Sequence, residues 1–197
     1  MNQPTDSHRP MDSAHGVPSL LVRSAASLAL LGAALAACTS PPAAPAAAPG
    51  ALARLQPTRG SNVSGTVSFT QQGDRVGVVA RVGGLVPNQE HGFHVHEKGD
   101  CSSPDGSSAG NHFNPGGQPH GPQSGPHHGG DLPALKADAA GNVNASFTIA
   151  GRVLGSGAAD LMGRGVIVHA QPDDYTTQPT GNSGARLACG VIETPTR

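Results

Sequence analysis

The chain has 197 residues and carries 12 Lys and Arg against 13 Asp and Glu, a net charge of −1. That balance shows no basic patch of the kind nucleic-acid binding demands, so no nucleic-acid partner is expected. Gly at 28 residues and Pro at 18 count against long helices, and one Tyr with no Trp leaves a core of small aliphatic side chains.

In chain order, Arg23 precedes the apolar run SAASLALLGAALAAC, which is too short to span a bilayer comfortably and lacks a stop-transfer flank. Its last four residues, Leu35-Ala36-Ala37-Cys38, resemble the lipobox of bacterial lipoprotein signal peptides. The expectation is a signal peptide over 1–37, read from Met1 or Met11 and cleaved before a lipidated Cys38. A buried Ala/Leu helix of the folded domain is the other reading. Against it stands the adjoining tract SPPAAPAAAPGALA, which reads as an extended Pro/Ala tether, assigned to residues 38–59 with Cys38. Thr39 stands where an aspartate would resemble an inner-membrane retention signal. The expected address is therefore the bacterial periplasm, anchored to the outer membrane through Cys38 only.

Removing the leader takes away Arg9, Arg23, Asp6 and Asp12, so the net charge stays at −1. With Cys38 lipidated, Cys101 and Cys189 remain, and an exported compartment favours a disulfide over two free thiols.

Residues 60–197 read as one domain, within the usual size range. Its apolar period is two. Val63, Gly65, Val67 and Phe69 alternate, as do Val76, Val78, Ala80 and Val82, and again Val143, Ala145, Phe147 and Ile149. Gln72-Gly73-Asp74, Gly83-Gly84 and Ala140-Gly141-Asn142 mark turns between them. Short alternating strands separated by such turns predict an antiparallel sandwich or barrel. From Lys98 to Lys136 there is no strand pattern, and a loop that long is usually disordered or functional.

Seven histidines crowd into Glu90–Asp131, with another at His169. A solvated His/Gly/Pro loop would be the plain explanation, but the spacing argues otherwise. In Phe93-His94-Val95-His96 the two imidazoles share one face of a strand. His169 ends a second apolar strand, Gly165-Val166-Ile167-Val168-His169. Three converging imidazoles suit copper or zinc better than magnesium or calcium. His112, His120, His128 and Asp131 offer a second set of four, with the chemistry of a tetrahedral zinc site. His127 competes with His128 for the same position.

Five blocks carry a resemblance: GFHVH (92–96), AGNHFNP (109–115), HGGDLP (128–133), GVIVHAQPDDY (165–175) and GNSGARLACGVI (181–192). Together they resemble the copper/zinc superoxide dismutases of the bacterial exported, lipoprotein kind. The resemblance implies an all-β fold, an immunoglobulin-like Greek-key β-sandwich or flattened eight-stranded barrel with long metal-binding and electrostatic loops. It implies copper on His94, His96, His112 and His169, zinc on His112, His120, His128 and Asp131, and His112 as the bridge. Asp173 would link the outer nitrogens of a copper ligand and a zinc ligand. Cys101 and Cys189 would form the internal disulfide, and Arg186 would guide the superoxide anion. The implied reaction turns superoxide into dioxygen and hydrogen peroxide by alternate reduction and oxidation of copper, with zinc structural and His112 supplying a proton. A homodimer is allowed, its contact left open by the long loop between Cys101 and His112. The loop Gln171–Ala185 holds no Lys or second Arg, so any steering field must come from Lys98 or Lys136, or be weak. A non-enzymatic envelope copper/zinc-binding protein is the alternative, and it would need neither Arg186 nor Asp173.

Overall fold

The computed structural model describes residues 50–196. The expected signal peptide, Cys38 and the start of the tether lie outside the described residues. Nine β segments follow in chain order: β1 (Ala51–Pro57), β2 (Ser64–Gln72), β3 (Arg75–Gly83), β4 (Glu90–His91), β5 (Phe93–His96), β6 (Leu135–Lys136), β7 (Val143–Ala150), β8 (Gly165–His169) and β9 (Arg186–Glu193). β4 and β5 are one extended run interrupted at Gly92, so the segments amount to eight strands. A single 3-10 turn, Ser107–Ala109, is the one helical element among the described residues.

Seven segments join in the order β5-β8-β9-β1-β2-β3-β7, while β4 pairs with β6. Every one of these pairings is antiparallel. Strands far apart in the chain lie side by side, β3 with β7 and β5 with β8, as the long crossing connections of a Greek key produce. The inner faces close on one apolar cluster that includes Leu55, Val67, Phe69, Val78, Phe93, Leu132 and Ile192. Burying each large side chain stabilises the fold by about 1.5–3 kcal/mol. The alternation read from the sequence reappears in β3, whose Val76, Val78, Ala80 and Val82 face inward.

One boundary differs from the sequence reading. Residues 51–57, assigned to the tether, form β1, bonded to β2 on one side and β9 on the other. Ala51, Ala53 and Leu55 point into the core and are buried. The alternation was present in the letters, but alanines beside a Pro/Ala tract carry little apolar contrast.

β5 is buried on both faces and bonded on both edges. β8 occupies one edge, with His94 opposite Ile167 and His96 opposite Gly165. On the other edge the long loop folds back: Val95 N donates to Gly130 O at 2.8 Å, and Phe113 N donates to Val95 O at 2.8 Å. Gly130 N donates to Phe113 O at 2.7 Å, closing the bracket. Two backbone bridges, His94 with Asp131 and His96 with His112, complete it. The segment without strand pattern is therefore ordered by main-chain bonds to β5.

Cys101 and Cys189 form the disulfide, with Cα atoms 5.7 Å apart and a sequence separation of 88. The bridge packs against Ala109 and Ile167, tying the loop to β9. In the chain-entropy model a loop of this length contributes about 4–5 kcal/mol. Replacing both cysteines with serine is expected to lower the melting temperature by about 10 °C or more, read by scanning calorimetry of the metal-free protein.

Candidate metal centre

The first set of imidazoles is carried by strands. β5 presents His94 and His96, and β8 ends at His169, where a bulge between Val168 and His169 shifts the register against β9. His112 stacks on His94 with ring centroids 3.9 Å apart. In each ring one nitrogen has a protein partner. His94 Nε2 bonds Asp173 Oδ2 at 2.9 Å, and His96 Nδ1 donates to Gly110 O at 2.9 Å. His112 Nδ1 bonds Asp131 Oδ1 at 2.9 Å, and His169 Nδ1 donates to Gly184 O at 3.3 Å. The opposite nitrogens, His94 Nδ1 and Nε2 of His96, His112 and His169, are buried without a hydrogen-bond partner. The four side chains can offer one ligand atom each within 4.8 Å of one another. Four buried, unsatisfied nitrogens converging in this way fit copper.

The second set sits on the loop. A zinc about 2.0–2.1 Å from each of four tetrahedral donors sets donor separations of about 3.3–3.4 Å. Asp131 Oδ1 lies 2.9, 3.1 and 3.3 Å from the Nδ1 atoms of His112, His120 and His128. His112 Nδ1 is 3.4 Å from His128 Nδ1. These separations are those of a tetrahedral zinc site or slightly tighter, so the residues fit the ion. His112 belongs to both sets, with Nδ1 toward zinc and Nε2 toward copper.

The remaining atoms of these ligands are held in turn. Asp131 Oδ2 accepts from the backbone N–H of His128 and of Gly121, at 2.9 and 3.1 Å. Asp173 reaches His94 Nε2 with one oxygen and lies 3.3 Å from His120 Nε2 with the other. It thus spans a ligand of each metal, an arrangement that orients both rings. Gly181 has φ +66°, and a Cβ there would run into Asp173 Oδ1 and His120 Nε2. Only glycine lets the loop approach so closely.

Burial, the largest influence on three of the copper-set rings, favours their neutral form. It lowers His94 to about 4 against the opposing bond to Asp173, His169 to about 3 and His96 to about 2. His128 is lowered too, again by burial first. His120 goes the other way: burial opposes its charge, but Asp131 and Asp173 outweigh that and raise it to about 9. Asp131 and Asp173 are opposed by burial yet lie well below the usual carboxylate range because the imidazoles donate to them.

Every residue assigned to metal from the sequence is in one of the two sets. The His127/His128 choice falls to His128, because His127 Nδ1 donates to Gly125 O at 2.7 Å and stands outside both sets. His91 is buried and donates to His169 O at 2.8 Å, supporting the backbone of a ligand. Arg186, at the start of β9, lines a cleft of about 250 Å³ that opens on His96, His112 and His169. Its Nη1 donates to Gly106 O at 2.6 Å and its Nη2 to Gly110 O at 2.7 Å. Neither Lys98 nor Lys136 lines this cleft; Lys136 pairs instead with Glu90 at 3.8 Å.

Some supporting residues carried no sequence signal. Gln178 clamps the main chain of His120, accepting from its N–H and donating to its C=O, both at 2.8 Å. Ser183 donates to Asp173 Oδ1 at 2.7 Å. Both are loop residues, and Gln178 lies 58 positions from its partner whereas Ser183 lies 10 from Asp173. Only Ser183, inside the GNSGAR block, lay in a motif that could have pointed to it.

The model of the copper/zinc superoxide dismutase family (SODC) matches residues 63–192. The chain belongs to the copper/zinc superoxide dismutase family. Among curated relatives, superoxide dismutase [Cu-Zn] 2 of Aquifex aeolicus (strain VF5) is 43% identical over 115 residues, 55% of this chain and 67% of that protein. The superoxide dismutase [Cu-Zn] of Paramecium bursaria Chlorella virus 1 is 42% identical over 138 residues, 66% and 72% of the two chains. A crystal structure of a SOD-like protein from Bacillus subtilis aligns with TM-score 0.67 and 35% identity, covering 73% of this chain and 99% of that one. The copper and zinc sites of this superoxide dismutase homologue are the two ligand groups described above.

Zinc requires His120 Nδ1 without its proton. In the metal-free protein His120 keeps its charge up to about pH 9, against 6.5 for a free histidine. Its raised value stabilises the metal-free fold fully below pH 6.5, and that contribution disappears as pH rises through 9. The depressed copper-set rings act oppositely: their contribution is present above pH 6.5 and is lost as pH falls through about 4 to 2. Zinc uptake at pH 7.5 is expected to release about one proton from His120, and none from it above pH 10. Calorimetric titration in buffers of different ionisation enthalpy measures this directly. Proton release that stays constant from pH 7.5 to 10 would contradict the assignment.

Proposed function

We propose that this protein dismutates superoxide. Two superoxide anions and two protons give one dioxygen and one hydrogen peroxide: one anion gives up an electron, the other accepts it. Copper, when bound by His94, His96, His112 and His169, supplies the one-electron chemistry. The chain's own residues do the rest. Among the described residues Arg186 is the one permanently charged side chain lining the cleft, held by two carbonyls with its remaining N–H groups left for a small anion. Burial lowers its pKa, Asp105 opposes that, and the guanidinium stays charged. His112 Nε2, buried and without a hydrogen-bond partner, is the atom that can hold a proton for the product while Nδ1 stays turned to the zinc ligands. Asp173 keeps His94 and His120 oriented throughout.

The observation that carries this reading is the shared carbonyl of Gly110. It accepts from His96 Nδ1 and from Arg186 Nη2, fixing an anion-binding group to a copper ligand through one oxygen. A protein that merely stores copper and zinc has no use for that coupling. Gly110 has φ +76°, and a Cβ there would collide with the Glu97 carboxylate, so the turn that presents this oxygen needs glycine.

The test is superoxide loss by the copper- and zinc-loaded protein beside Arg186→Ala. The variant is expected to keep its copper and to lose about tenfold or more of the rate at low salt. Its dependence on ionic strength should flatten, since no other permanent charge among the described residues lines the cleft. Wild-type activity no greater than that of free copper would leave only the metal-binding alternative.

We further propose that the protein acts in the bacterial periplasm as a lipoprotein of the outer membrane. The Leu35-Ala36-Ala37-Cys38 motif, Thr39 and the Pro/Ala tract support this. A homodimer would pair through small and polar side chains, because Val86 is the one large hydrophobic residue exposed among the described residues. In cells expressing the full chain, labelled palmitate is expected in the outer-membrane fraction. Cys38→Ser should abolish the label and release the protein from membranes, whereas labelling that persists in the variant would contradict the anchor.

A further inference from the structure

A second cleft, of about 300 Å³, opens beside the first. Its lining includes Glu97, Asn111, Asn114 and Pro179 together with the zinc-set residues His112 and His128. Among the described residues the two clefts share His112 and Thr180 and no other lining residue. Of the zinc ligands, His128 is the most accessible: its side chain is 8% exposed, against 2% for His112, 1% for Asp131 and 0% for His120. The space holds several waters at about 30 Å³ each, so an ion can approach while still hydrated.

The clefts also differ in sign. Among the described residues, Arg186 is the permanent charge lining the copper cleft and Glu97 the carboxylate lining the other. A guanidinium draws in a monoanion and repels a dication, whereas a carboxylate does the reverse. Glu97 is half-buried and fixed at the rim, where Oε1 accepts from Asn111 N–H at 3.2 Å.

We propose that zinc enters and leaves through this second cleft, with Glu97 as a transient ligand that passes the ion to His128. The proposal rests on the zinc assignment above and adds a route separate from the one superoxide uses. Zinc exchange then proceeds without opening the substrate cleft, and substrate access does not expose zinc.

The experiment follows zinc alone, by stopped-flow uptake into the metal-free protein and by release to 4-(2-pyridylazo)resorcinol. Glu97→Gln is expected to slow uptake about tenfold at low ionic strength while final zinc stays near one per chain. Asn111→Trp, which fills the second cleft, should slow uptake and release together. Asn182→Trp, which fills the copper cleft, should change neither. Wild-type exchange rates in Glu97→Gln would overturn the route, as would slower zinc exchange in Asn182→Trp, and the first result decides even if Asn111→Trp does not fold. A wild-type protein that takes up no zinc would overturn the zinc assignment itself, an outcome distinct from normal uptake at unchanged rates.

Discussion

The structure depends on keeping imidazole nitrogens buried with nothing in the protein to bond them. His94 Nδ1 and the Nε2 atoms of His96, His112 and His169 are all shielded from water and unpaired. Leaving such a group unsatisfied costs about 1–3 kcal/mol each. The metal-free fold must carry that cost, and the metals relieve it, so metal binding and folding stability are one free energy seen from two sides. The rest of the molecule holds these rings together against their preference to separate and hydrate.

Three devices oppose that preference, and all act through groups other than the rings. β5 is bonded on both edges, so His94 and His96 cannot move apart without breaking the sheet and the bracket around Val95. The disulfide fixes the loop that carries Gly106 and Gly110 to β9, the strand that carries Arg186. Thr58, just past β1, donates from Oγ1 to Arg186 O at 2.6 Å and pins the same residue from the other side. The strand misread as tether is therefore part of the support for the anion-binding arginine.

What the sequence revealed follows from how local each signal was. The strands β2, β3 and β7 showed themselves because valines and phenylalanines alternate with polar residues over eight or nine positions. His94 and His96 were legible as a pair because a strand repeats every two residues, and the ligand sets were legible through motif blocks. β1 was hidden by its alanines. Gln178 was hidden for another reason: its role comes from a contact across a long sequence separation, 58 positions from His120. No periodicity records a contact of that kind. His127 and His128 were equivalent as letters, and the backbone of Gly125 separates them by giving His127 a partner of its own.

The two metal sites differ in construction, and the difference matches their chemistry. Three copper ligands come from the ends and faces of strands, where the sheet limits their movement, and burial keeps those rings neutral. A redox ion that must serve two oxidation states gains from ligands whose positions do not depend on its charge. The zinc ligands come from a Gly/Pro-rich loop organised around Asp131, whose carboxylate offsets the ion's charge and raises the basicity of His120. Main-chain bonds to β5 already order the part of that loop around His112 and Asp131, and a bound ion would add to that order. His112 joins the strand-borne set to the loop-borne one. Zinc held by the loop would therefore bear on the copper set through one ring, His112, whose backbone is bridged to His96 and whose Nδ1 bonds Asp131.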